Sequence, residues 1–96
     1  MKTILAKVQR LQILEILKED AGYDQNDLML MTALEAIGAG TSHDNLNSEL
    51  AWLEEQALIT LEKVGTLLVA TITRRGLDIA SGRARNPGVN RPRPEV

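Results

Sequence analysis

The chain has 96 residues, 44% of them apolar and 25% charged, a balance that suits one globular domain and leaves no room for a second core. With 0 cysteines and 1 histidine it offers no disulfide, no thiolate metal site and no thiol nucleophile. The net charge is −2, and no apolar run approaches the roughly 20 residues that a membrane span requires.

The first predicted element is an amphipathic helix ending near Glu19. Ile4, Leu5, Val8, Leu11, Leu14 and Leu17 recur at three- and four-residue steps, and Ile13 and Ile16 widen the stripe. Lys7 and Arg10 interrupt its apolar pattern, unlike a signal peptide. Gly22 and Tyr23 break the helix, with Tyr23 expected to pack in the connecting loop. Asp24 or Asn26 then caps a second helix, whose apolar side is expected to be Leu28, Met31, Ala33, Leu34 and Ile37 and which Gly38 and Gly40 end. Thr41 or Ser42 caps a third helix, in which Leu46, Leu50, Leu53 and Ala57 share a narrow arc that must face the core.

Two β-rich runs follow, Ile59 to Lys63 and Thr66 to Ile72, with Val64-Gly65 predicted as the hairpin turn between them. Thr73 can cap a short closing helix in which Leu77, Ile79 and Ala80 are the apolar residues, ending near Gly82. From Asn86 onward the chain contains all 3 prolines, so residues 86–96 are expected as a flexible, unpacked Pro/Arg-rich tail on a domain spanning residues 1–85. The resulting fold class is mainly α with a β-hairpin. Helix, hairpin and closing helix in this order form the back half of a winged helix-turn-helix.

Leu50, Leu53, Leu58 and Ile59, followed by the hairpin and Thr73-Arg74-Arg75-Gly76, resemble the passage from recognition helix to wing to closing helix in winged-helix regulators. The resemblance covers roughly residues 4 to 82. It is nearest to small winged-helix proteins of Mu-like prophages, related to regulators of the ArsR type, through Ala21-Gly22-Tyr23, Leu50-Ala51-Trp52-Leu53 and Arg83-Ala84-Arg85 with Pro87-Gly88-Val89. The resemblance implies a DNA-binding protein in phage transcription regulation or another phage DNA transaction. It also implies a homodimer acting in the cytoplasm of a bacterial host, while the short apolar runs give no membrane contact and a phage protein partner belongs to the competing reading below. The cysteines through which metal-sensing members of that regulator class bind metal are absent, so no metal or other cofactor is expected.

A third helix that reads DNA must do so with its outward face. His43, Asn45, Asn47 and Ser48 are the candidate groove contacts, opposed by the carboxylates Asp44, Glu49, Glu54 and Glu55. Asp44 also has a purely structural use, because a negative charge in the first turn favours the helix dipole. The cations make a stronger case. Residues 1–73 carry 5 basic and 11 acidic side chains, whereas residues 74–96 carry 6 basic and 2 acidic, and all 6 are arginine. Lys63, Arg74, Arg75, Arg83 and Arg85 are the candidate contacts to the DNA backbone, and Arg91 and Arg93 extend the series into the tail.

Trp52 lies about 120° from the centre of the leucine stripe and is expected to border the core, covering the junction of helix and wing or serving as a partner-facing anchor. That second role carries the competing reading, a protein-interaction or assembly module that uses the fold without DNA. His43 beside Asp44 reads as first-turn polarity rather than a metal site. Gly38-Ala39-Gly40-Thr41-Ser42 follows a helix and lacks a following lysine, so it reads as a turn rather than a phosphate loop. No nucleophile with its base emerges, and an enzyme is not expected.

Overall fold

Short polar side chains decide where three of the helices start. In a computed structural model that describes residues 2–94, α1 (Lys2–Glu19), β1 (Asp24–Asn26), α2 (Asp27–Ala36), α3 (His43–Glu55), β2 (Ile59–Val64), β3 (Leu67–Ile72) and α4 (Arg74–Ala80) follow in order. Asn26 accepts the free N–H of Met29, Ser42 that of Asn45, and Thr73 that of Gly76, so the second residue of each of the two expected pairs does the capping, and Thr73 caps as expected.

The same three helices end alike. After α2 the N–H groups of Gly38 and Ala39 return to the carbonyls of Glu35 and Leu34, and after α4 those of Gly82 and Arg83 return to Ile79 and Asp78. Gly38 and Gly82 take the positive φ this closure requires, +76° and +83°. After α3 the N–H groups of Ala57 and Leu58 return to Glu54 and Leu53, and it is Ala57 that sits at φ 62°. Ala57 therefore lies outside the helix and exposed, which corrects its expected place on the core-facing arc.

The strands form one antiparallel sheet in the order β1-β3-β2. β1 was read from sequence only as a cap region. It pairs Asp24 with Thr71 and Asn26 with Val69, and this makes β3 the central strand. On the other side Ile59 faces Ile72 and Val64 faces Leu67, so the turn is Gly65-Thr66, one residue later than expected. Gly65 at φ +63° is the first of its two central residues, the glycine position of a type II′ hairpin.

The core lies where the sheet meets α1, α2 and α3. Ile13, Leu14 and Leu17 of α1, Leu30 and Leu34 of α2, and Leu46, Leu50 and Leu53 of α3 are fully buried. Leu28 of α2 and Ile37 just after it, both expected on the helix's apolar side, are 55% and 56% exposed instead. The helix is rotated so that Asp27, Leu30 and Leu34 face inward. Gly76 admits no side chain, because a Cβ there would collide with the carbonyl oxygen of Leu58 and crowd Ile72.

The expected free tail is corrected over residues 86–90. Val89 is 5% exposed and belongs to the core cluster, the N–H of Asn90 donates to the Lys7 carbonyl (3.1 Å), and Asn86 Nδ2 donates to Gln56 Oε1 (3.1 Å). Pro92 returns against Gly82, so the segment leaves α4 and comes back to it as a closed loop. Proline removes donors, but Gly88 and Val89 supply a close approach and a plug. Glu95 and Val96, also part of the predicted tail, lie outside the described residues.

Candidate nucleic-acid interface

Helical geometry sorts the side chains of α3 into three arcs. Asp44, Ser48, Ala51 and Glu55 lie opposite the buried leucines and are exposed. His43, Asn47 and Glu54 lie along one flank, and Asn45, Glu49 and Trp52 along the other. Only Ser48 of the four candidate groove residues falls on the outward arc, where its hydroxyl donates to the Asp44 carbonyl (3.1 Å).

The flank toward α2 and the sheet is held by Asp27. Its carboxylate is 4% exposed and accepts from His43 Nε2 (2.8 Å), Leu68 N–H (3.2 Å) and Leu28 N–H (3.1 Å). Burial alone pushes this carboxyl up, but the bond from His43, those from Leu68 and Leu28 and the attraction of His43 outweigh it and hold the group below its ordinary value of 3.8. His43 is thus an inter-element tie as well as a first-turn residue. Asn47 is half-buried with Oδ1 enclosed and unbonded, rather than outward as expected, because it lies only about 90° from the stripe's centre. Glu54 accepts the N–H of Leu61 (2.9 Å) on the outer edge of β2, so this carboxylate caps a strand edge.

The other flank faces α1. Asn45 Nδ2 donates to Gln9 Oε1 and Thr41 Oγ1, both at 2.8 Å. Glu49, expected among the opposing surface carboxylates, is buried at 6% exposure and pairs with Arg10 Nε at 3.1 Å. The Arg10 guanidinium lies over the Trp52 ring, 3.9 Å from its centre, and its Nη1 donates to the Gly88 carbonyl (3.1 Å). Trp52 borders the core as expected, but what covers it is Gly88, where a Cβ would collide with ring atoms Cζ2 and Cη2. Arg10 and Asp27 were missed from sequence. The only signal was a charge inside an otherwise apolar helix, in Arg10, and an acid in a helix's first turn, in Asp27.

The five cations expected at the DNA backbone, Lys63, Arg74, Arg75, Arg83 and Arg85, are all exposed. None of them forms an ion pair among the described residues. They do not make one cluster. Lys63 is opposite Leu68, four residues and so about 14 Å along the hairpin from Ile72, next to which Arg74 and Arg75 open α4. Arg83 and Arg85 follow the other end of α4. Among the described residues no group of three or more His, Cys, Asp or Glu gathers as a metal set, and no helix is long and apolar enough to cross a membrane.

Fold and site together define a small four-helix protein with a three-stranded antiparallel sheet and a set of unpaired surface cations. Over 93 residues the chain is 43% identical to gp26 of Escherichia phage Mu, an uncharacterized protein, covering 97% of this chain and 96% of that one. Over 92 residues it is 38% identical to an uncharacterized protein of Haemophilus influenzae, covering 90% of this chain and 89% of the relative. The chain belongs to this phage-linked family of small proteins. No family model and no solved structure matches it.

Proposed function

We propose that the protein is a winged-helix DNA-binding protein acting in phage transcription regulation or another phage DNA transaction, in the cytoplasm of the bacterial host and without catalytic activity. The observation that carries this reading is the element order α1-β1-α2-α3-β2-β3-α4 with sheet order β1-β3-β2, which places α3 directly before an exposed hairpin. Lys63 on that hairpin and Arg74, Arg75, Arg83 and Arg85 around α4 then supply phosphate contacts. Ser48 is the groove contact, with His43 and Asn45 at the N-terminal turn. Affinity rests chiefly on the backbone, since the outward arc of α3 carries Asp44 and Glu55. A homodimer fits this use, because a half-site reader of this size has little surface for tight binding alone. The exposed Ile4 and Leu5, 62% and 64% exposed, offer it an apolar contact.

The test is a titration of the full chain with random duplex DNA across a salt series. Three to five phosphate contacts give a slope of log K against log salt of about −3 to −4.5, and Arg74→Ala with Arg75→Ala reduces its magnitude by about 2. Absence of salt-sensitive binding at low ionic strength refutes the reading.

The second reading, a protein-interaction or assembly module with a phage protein as partner, is favoured by the two outward carboxylates of α3 and by Trp52, held beneath a segment with little packing of its own.

A further inference from the structure

Between α1 and α3 the chain covers a patch of its own surface with residues 86–90, and the contacts there read as peptide recognition. Arg10 Nη1 takes the Gly88 carbonyl, and the Lys7 carbonyl takes the Asn90 N–H. Both are backbone contacts and carry no side-chain preference. Selectivity comes from three positions, the first being 86, where the Asn86 side chain donates to Gln56 Oε1 and accepts the Gly88 N–H. Position 88 must lack a Cβ, because the Trp52 ring occupies that space, and position 89 must be small and apolar, because Val89 enters the core cluster. Pro87 and Asn90 are exposed, so the residues flanking the pair are free to vary. The patch prefers an uncharged occupant at its centre, since Arg10 and Glu49 already neutralise each other at 3.1 Å.

We infer that this patch is a docking site for a peptide turn with a Gly-Val core, occupied in cis by residues 86–90, where the Asn86 carbonyl accepts the Val89 N–H (3.0 Å), and opened to a partner protein when that segment releases. The segment is built to release. It has no helix or strand pairing, it buries one side chain, and it is joined to α4 through Ser81 to Arg85, with Gly82 at φ +83°. None of the cations proposed for DNA contact lines it, so the site stands apart from the DNA reading.

Trp52 is the chain's 1 tryptophan and lies under the segment, so its fluorescence reports docking directly. In the full-length protein, Gly88→Ala is expected to keep the helical circular dichroism, shift Trp52 emission to the red and speed tryptic cleavage after Arg85 about tenfold. A blocked peptide with the sequence of residues 85–91, titrated to millimolar concentration, is expected to restore the blue emission of the variant. The wild type is already blue, and there the peptide is expected instead to speed cleavage after Arg85, at about ten times the concentration, because the wild-type segment competes. The same peptide with alanine in place of glycine should do nothing. Emission and cleavage unchanged by Gly88→Ala overturn the latch. A variant that opens but ignores the peptide overturns the docking site. If Gly88→Ala loses its helical signal, Val89→Ala, which removes the plug without a clash, takes its place in the same comparisons.

Discussion

The Asp27 carboxylate accepts from α3 through His43, from β3 through the Leu68 N–H and from its own helix through Leu28, while only 4% exposed. Deleting an acceptor of this kind strands two backbone donors and a histidine, so Asp27→Ala is expected to cost about 2–4 kcal/mol by urea unfolding near pH 7. The pH dependence follows from the direction of the shift. The folded carboxyl is held below its ordinary 3.8, so the unfolded chain binds this proton more readily. Its contribution is complete above 3.8 and is lost as pH falls through the folded value. The stability gap between wild type and Asp27→Asn should therefore shrink only below the usual aspartate range. A gap that stays constant into that range would remove the carboxylate from the account. The same bond fixes where His43 sits in the first turn of α3, from which the proposed DNA contact would be made.

At the scale of the element, the three matching helix ends explain what was legible in the sequence. Gly38 and Gly82 announce their closures because glycine is the residue that reaches positive φ without steric cost. Ala57 makes the same closure at φ 62° and carries no such signal, which is why the sequence pattern places it on the buried arc. Ala57→Gly relieves that backbone strain and is expected to stabilise the protein by about 0.5–1 kcal/mol, seen as a higher urea midpoint with unchanged slope. A lowered midpoint would mean that the alanine methyl makes contacts of its own. Local rules also found the caps at Asn26, Ser42 and Thr73 and the leucine stripe of α3, since each depends on residues within a turn of one another. They missed β1, whose three residues Asp24–Asn26 carry no β-branched side chain and pair only because β3 is already in place. The pairings of Arg10 with Glu49 and of Trp52 with Gly88 span 39 and 36 positions. No periodicity connects residues that far apart. The cations, in contrast, were visible as a charge asymmetry, and their exposure needed no fold to anticipate.

At the scale of the molecule, the acidic body and the basic end are joined by one packed loop, so removing the end is not a change of charge alone. A chain stopped after Arg85 loses Val89 from the core and the cover of Trp52 together with Arg91 and Arg93. Its unfolding midpoint is expected to fall by the equivalent of about 1–3 kcal/mol, the apolar burial of one valine, with Trp52 emission shifted to the red. The full-length chain with Arg91→Gln and Arg93→Gln keeps the plug and should show neither change. Run beside the salt titration, this pair separates two sources of lost DNA affinity. If the arginines of the end make the contacts, both chains bind weakly. If Lys63, Arg74 and Arg75 carry the contacts and the loop only holds the body together, the glutamine chain binds like wild type and the shortened chain alone is impaired. A shortened chain as stable as wild type, with unshifted Trp52 emission, would show that Val89 contributes nothing to the fold and return the end of the chain to the free arm its prolines suggest.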